Sequence, residues 1–266
     1  MKKRLFLLFL LSLLALCLAL PAAAIERTVT VRIEGAEDTL YYDTVSIPVA
    51  GVSVLDVLLL VDEADNGIDL VGIENGYIVA VNNEAAGRTA KGWDGFGVRM
   101  DGVPISYDRL ASAHVNTGAE IVVYYADEFE TGLLIPMMDD KDLSSGVLRF
   151  FAEVPQENGS YTVEAIEGAT VRWYCGDAFA TYVTDEDGKI RIEKALLQSG
   201  DHRVWIDLRN EEGIPQLLRF APDFTVNIPT AVGDSPVVYI LSAGIVASVA
   251  AIAALLTSLL KKRSKK

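Results

Sequence analysis

The 266-residue chain has two cysteines and two histidines. Cys17 lies in an N-terminal apolar run, so cleavage of that run leaves Cys175 alone and excludes an intrachain disulfide. His114 and His202 fall in different halves of the chain, and no Ser-His-Asp or Cys-His set is evident. There is no glycine-rich phosphate loop, no HExxH and no CxxC. Basic residues are scarce where they would matter. Three of the 23 lie in the first four positions and five in the last six, leaving 15 against 37 acidic residues between, a net of −22. Such a surface repels nucleic acid and anionic lipid heads. No repeat or low-complexity tract is present. These absences argue against an enzyme, and no catalytic residue, metal ligand or resident cofactor is assigned.

What is present is first legible at the ends. Lys2, Lys3 and Arg4 precede an apolar run from Leu5 to Leu20, and Ala22-Ala23-Ala24 supplies a cleavage site. That is an export signal over residues 1–24. Cys17 follows Leu16 rather than a small residue, which argues against a lipoprotein. Val237 to Leu260 is 24 residues without a charge, followed by a basic tail, Lys261 to Lys266. A helix of about 20 apolar residues crosses the hydrocarbon core, and Lys-rich flanks stay in the cytoplasm. The expectation is a single-pass, type I membrane protein with an extracellular ectodomain. The tail resembles the sorting signal of Gram-positive wall proteins, but Ile228 to Asp234 (IPTAVGD) lacks the Leu-Pro-x-Thr-Gly spacing, so membrane retention is expected.

Within the ectodomain, residues 27–34 alternate: Val29, Val31 and Ile33 on one side, Thr28, Thr30 and Arg32 on the other. The pattern predicts a half-buried strand. Residues 40–49 read as a second strand. Ser53 is a candidate N-cap for a helix carrying Val54, Leu55, Leu58 and Leu59, ending at Asn66-Gly67. Strand-like runs follow at 69–73, 77–82, 96–101 and 120–125, with a hairpin turn at Asp101-Gly102. Residues 25–127 therefore predict an α+β domain. Residues 128–146 read as a linker. Residues 147–229 hold short strand candidates between Gly, Asp and Asn turns, including 217–221, and predict an all-β sandwich domain. Cys175, beside Trp173 and Tyr174, reads as a buried structural thiol. Asp185-Glu186-Asp187-Gly188 has the look of a calcium loop, but the twelfth position is Leu196, so a hairpin turn is expected. Asp62 to Gly67 fails the same test and reads as a helix end.

The stretch Ser53 to Ala126 resembles a known module. The matching pieces are a helix opening Val54-Leu55-Asp56, Gly92-Trp93 before a strand, the Asp101-Gly102 turn, and Gly118-Ala119-Glu120 leading into Val122-Val123-Tyr124-Tyr125. This is similar to the β-grasp module that forms the C-terminal domain of transcobalamin and intrinsic factor and recurs in bacterial surface proteins. Residues 147–229 resemble the Cna-B or carboxypeptidase-regulatory sandwich, on the strand ending Thr184-Asp185 and the Asp187-Gly188-Lys189 turn. The first resemblance implies a corrinoid, cobalamin-like ligand. In the animal carriers the module shares that ligand with a helical barrel, which this sequence does not show.

The candidate ligand surface is built on Trp93, Phe96, Tyr124 and Tyr125. Gly92, Gly95 and Gly97 allow close backbone approach, and an aromatic ring could stack on a flat ligand. The competing reading of these rings is core packing. The expected function is non-enzymatic binding at the cell surface, with corrinoid capture for uptake as the leading form. The alternative is a structural or protein-interaction role: a spacer, an adhesin, or a partner of a membrane transporter.

Overall fold

The computed structural model describes residues 27–48, 51–64, 66–89, 92, 94–127, 133–156 and 160–229. The expected export signal, membrane span and basic tail lie outside the described residues. Among the described residues no helix is long and apolar enough to cross a membrane. The described chain is mostly β-strand, arranged in several sheets.

The first sheet opens with β1 (Thr28–Glu34) and β2 (Thr39–Ser46), an antiparallel hairpin with a bulge at Ile33/Glu34. Helix α1 (Val54–Glu63) follows, capped by Ser53. Ser53 Oγ accepts from the Asp56 amide at 3.2 Å, and the Ser53 amide donates to Asp56 Oδ2 at 2.8 Å. This reciprocal pair satisfies two donors at the open helix end. At the far end Asn66 Nδ2 donates to Val61 O at 2.9 Å. Three two-residue strands, β3 (Leu70–Val71), β4 (Ala80–Val81) and β5 (Glu84–Ala85), form a small antiparallel sheet. Next come β6 (Gly95–Met100) and β7 (Val103–Ile105), a hairpin turning at Asp101 and Gly102, whose φ values are 51° and 79°. Two consecutive left-handed residues are what a tight hairpin turn demands, and Asp-Gly tolerates them. With β8 (Glu120–Ala126) the sheet runs β2-β1-β8-β6-β7. β1 and β8 are parallel. Parallel neighbours need a crossover, and the chain between them includes α1.

Period-two alternation sends Val29, Val31, Ile33, Ile121, Val123 and Tyr125 into one core with Val54, Val57, Leu58 and Val61 of α1. The sequence predicts that the other face of β1 is open. The structure differs: Arg32 is 3% and Glu34 2% exposed. The back of the sheet is covered as well, by residues distant in sequence.

Part of the expected linker is built into the second unit. Its residues supply β9 (Pro136–Asp139), which pairs antiparallel with β10 (Val147–Pro155), and Leu143, which enters the second core. The strands that follow are β11 (Tyr161–Ala165), β12 (Thr170–Cys175), β13 (Ala178–Val183), β14 (Lys189–Arg191), β15 (Gly200–Asp207) and β16 (Thr225–Ile228). β9, β11 and β14 all pair with β10; the other sheet is ordered β13-β12-β15-β16. The two antiparallel sheets share a core that includes Leu148, Phe150, Val171, Trp173, Val204 and Ile206.

The stretch 217–221, expected as a strand, does not form one. Leu217 makes a single bridge to Leu134. Its neighbours explain why. Leu217 enters the second core, Leu218 joins Val122, Tyr124, Ala126 and Leu133 on the back of the first sheet, and Arg219 enters an ion cluster. A segment buried on several sides between two units has no free edge on which to extend a ladder.

Candidate functional site at the joint

The expected aromatic surface divides between two places. Trp93 lies outside the described residues. Phe96 and Tyr125 are 1% and 0% exposed and pack edge to face, ring centroids 5.2 Å apart, inside the first core. They present no open face there, because alternation along β8 turns Tyr125 to the helix side with Ile121 and Val123. Tyr124, one residue earlier, points to the back face and is also fully buried. The expectation that the four rings share one stacking surface is therefore revised for Phe96, Tyr124 and Tyr125.

Asp94 anchors the loop ahead of β6. Its carboxylate accepts from the Arg88 amide at 2.7 Å, the Thr89 amide at 2.8 Å and Thr89 Oγ1 at 2.6 Å, and from the Tyr125 hydroxyl. Burial opposes the charge, but the bonds from Thr89, Tyr125 and Arg88 outweigh it and hold the carboxyl far below the usual carboxylate range. Sequence reading missed this residue, although an Asp between Trp93 and three-residue Gly-Phe-Gly was in view.

Sequence reading also missed the joint itself. Glu34 Oε2 lies 2.8 Å from Arg219 Nη1, and Glu34 Oε1 lies 3.2 Å from Arg32 Nε. Arg219 Nη2 continues to Asp207 Oδ1 at 3.3 Å, and Asp207 Oδ2 meets Arg209 Nε at 2.5 Å. Arg209 Nη1 closes on Glu37 Oε1 at 3.0 Å. The first four side chains are 8% exposed or less. Arg32 Nε and Asp207 Oδ1 are ion-paired without hydrogen-bond geometry. Carbonyls complete the cluster: Arg219 donates to Gly35 O and Ala36 O at 3.1 and 2.9 Å, and Arg32 Nη2 donates to Arg219 O at 2.9 Å. A second tie is Tyr42, whose hydroxyl donates to Asp223 at 2.7 Å. Burial, and then that carboxylate, push the Tyr42 phenol up to about 12.

A cleft of about 630 Å³ opens between the units. Arg99 and Pro104 line it from the first, Ile135, Met137, Glu153 and Tyr161 from the second. Arg99 is 5% exposed. Its guanidinium lies 5.1 Å from the centre of the Tyr124 ring, and Nη2 donates to Leu133 O. Among the described residues Nε and Nη1 have no acceptor, and neither atom is exposed. Burial lowers the Arg99 pKa from the ordinary arginine value, against the influence of Tyr124.

The remaining candidates are occupied by local structure. His202 stacks on Trp173 at 4.6 Å, its ring nitrogens 3.2 Å from Tyr174 O and 2.7 Å from Gln198 O. His114 is exposed, Nδ1 3.0 Å from Gly51 O. Cys175 is a free thiol, half-buried at the end of β12 rather than enclosed. Asp185 Oδ1 accepts from the Asp187 and Lys189 amides at 3.0 and 2.8 Å, as a turn residue does. Among the described residues no three His, Cys, Asp or Glu side chains cluster as metal ligands. No family model and no curated protein sequence matches the chain.

Proposed function

We propose that the chain is a non-enzymatic binding module, exported by residues 1–24, held in the membrane by 237–260 and displayed outside the cell. In this reading the first unit is a β-grasp domain. Its mixed sheet, with parallel β1 and β8 at the centre and one helix packed across, supports that assignment. The second is a β-sandwich, supported by two antiparallel sheets around one core.

The observation that carries the binding role is the cleft between the units. Small-molecule sites favour concave, largely apolar surfaces with a few placed polar groups, often where two domains meet. The buried ion cluster ties together the two units that wall the cleft. A corrinoid is the ligand that the β-grasp resemblance names, and Trp93 is its candidate stacking residue. The test is calorimetric and spectral titration of the full chain, in mild detergent, with cobalamin and cobinamide. Absence of both heat and spectral shift eliminates the corrinoid. Wild-type affinity in Trp93→Ala eliminates Trp93 as the contact.

A protein-interaction role is favoured by a different observation. β11 and β13 are outer strands. Tyr161 and Val163 on β11 are 66% and 64% exposed, and Phe179 and Val183 on β13 are 55% and 64% exposed. Apolar side chains on an edge that is unpaired among the described residues suit strand addition by another chain.

A further inference from the structure

We propose that the cleft floored by Arg99 takes an organic monocarboxylate, its anionic end on the guanidinium and its apolar body against Ile135, Met137 and Tyr161. The inference rests on the binding-module reading and names the ligand class.

Two arginines on one row of the first sheet carry the argument. Arg32 and Arg99 both register with Val122, from opposite sides of β8. Their side chains therefore leave the same face, about 10 Å apart at the backbone, two strand spacings. Both are buried. Arg32 has a carboxylate at 3.2 Å and a carbonyl at 2.9 Å. Arg99 has one carbonyl and the Tyr124 side chain, which meets it by ring face and by hydrogen bond, with Nε and Nη1 left without acceptors among the described residues. Arginine does not shed its proton to escape burial, and among the described residues no carboxylate pairs with this one. A buried guanidinium in that condition is costly to the empty protein. The cost is met if an anion enters the adjoining cleft and the guanidinium, whose Nε and Nη1 are out of reach of solvent in the empty protein, turns its planar fork toward the carboxylate.

The surroundings select among anions. Glu153 lines the same cleft, is exposed, and forms no ion pair among the described residues. With a strongly acidic ectodomain around it, it disfavours a dianion such as a phosphate monoester. A single negative charge on an apolar body fits both the guanidinium and the Ile135, Met137 and Tyr161 walls.

The test uses the full chain in nanodiscs of uncharged lipid, with phenylacetate, its neutral isostere phenylacetamide, and phenyl phosphate as probes. Binding is read by saturation-transfer NMR. Phenylacetate is expected to bind more tightly than the other two, and Arg99→Met is expected to weaken it roughly ten- to a hundredfold while changing phenylacetamide little. The unliganded Arg99→Met protein is expected to melt higher than wild type, because a buried charge with no carboxylate partner among the described residues has been removed. Should that variant fail to fold, Ile135→Glu, at a partly exposed wall position, places a competing carboxylate in the cleft and is expected to weaken phenylacetate at least tenfold. Undiminished phenylacetate binding in either variant overturns the proposal, as does absence of phenylacetate binding. If acid and amide bind the cleft equally, the carboxylate class falls while small-molecule binding stands. If no probe and no corrinoid binds, both fall.

Discussion

Removal of the charge on Glu34 should loosen the joint. Its carboxylate faces Arg219 Nη1 at 2.8 Å and Arg32 Nε at 3.2 Å, and Thr39 Oγ1 donates to it at 2.9 Å. At an effective dielectric near 20, each ionic contact has a gross Coulomb energy of roughly 5 kcal/mol. Most of that is offset by the desolvation of three buried ions, so the intact cluster contributes little net stability. Glu34→Gln keeps the shape and the desolvated arginines but removes the compensating charge. Arg32 then has no carboxylate partner, and Arg219 keeps only Asp207 at 3.3 Å. Breaking a buried pair in this way costs about 3–5 kcal/mol. For a protein with ordered units of this size, that corresponds to a fall of roughly 6–20 °C in thermal midpoint. Thermal unfolding of the full chain in mild detergent, followed by near-ultraviolet circular dichroism, measures it. Hydrogen exchange should show the loss first in amides around Val122 and Leu218, where the units meet. A change under about 0.5 kcal/mol, the range of an unremarkable surface substitution, would refute the reasoning. So would exchange that rises only at the far edges of the sheets.

Three further outcomes follow from single contacts. Asp94→Asn removes a charged acceptor of several hydrogen bonds and should cost about 1–3 kcal/mol in chemical denaturation, with faster amide exchange at Arg88 and Thr89. Because the Asp94 pKa is depressed in the folded chain, its contribution is complete above the ordinary carboxylate value and declines as pH falls below it, so the variant should show a flatter acid limb. Tyr42 has the opposite sign: its folded pKa, about 12, exceeds the unfolded value near 10. Its contribution is present below about pH 10 and lost as pH rises toward 12, so Tyr42→Phe should lessen the alkaline fall in melting temperature; an unchanged alkaline slope would count against the Asp223 tie. Ser53→Ala should cost about 1 kcal/mol by removing the cap of α1, checked by urea unfolding, while Ser53→Thr should stay near wild type.

Local signals were readable and long-range ones were not. The Ser53 cap and the Asp101-Gly102 turn each depend on residues within four positions, and their chemistry permits few alternatives. The strands at 28–34 and 120–126 were readable because one face of each is apolar throughout. What failed concerned the other face. Arg32 between Val31 and Ile33, Arg99 between Val98 and Met100, and Arg219 between Leu218 and Phe220 all look like solvent-facing residues of alternating strands. Arg32 and Arg99 are buried because segments around 133 and 217, the latter more than 180 residues from β1, lie across that face, and Arg219 is buried because its own segment is the one that lies there. Nothing in a local window distinguishes an arginine facing water from one facing a carboxylate supplied by a distant segment. The same limit affected Phe96, because an aromatic flanked by glycines suits a ligand face and a tightly packed core equally well, and Tyr125, which packs against it.

The unequal treatment of the arginines bears on why the joint is ionic. An apolar joint would be at least as stable, since buried ion clusters seldom outperform packed hydrophobic side chains. It would also be less particular about angle, because apolar contacts are non-directional. Arg219 instead reaches Glu34, Asp207 and the Gly35 and Ala36 carbonyls at once, and few relative orientations of the units satisfy all four. That constraint acts on the cleft. Arg99 and Pro104 stand on one unit, Met137 and Tyr161 on the other, so a rotation at the joint changes the distance between the guanidinium and the opposite wall. Glu34→Gln should therefore weaken phenylacetate binding without touching the ligand, in proportion to the widened distribution of joint angles. If joint stability falls as expected while affinity for the probe is unchanged, the ion cluster serves stability alone and the cleft does not depend on it for its shape.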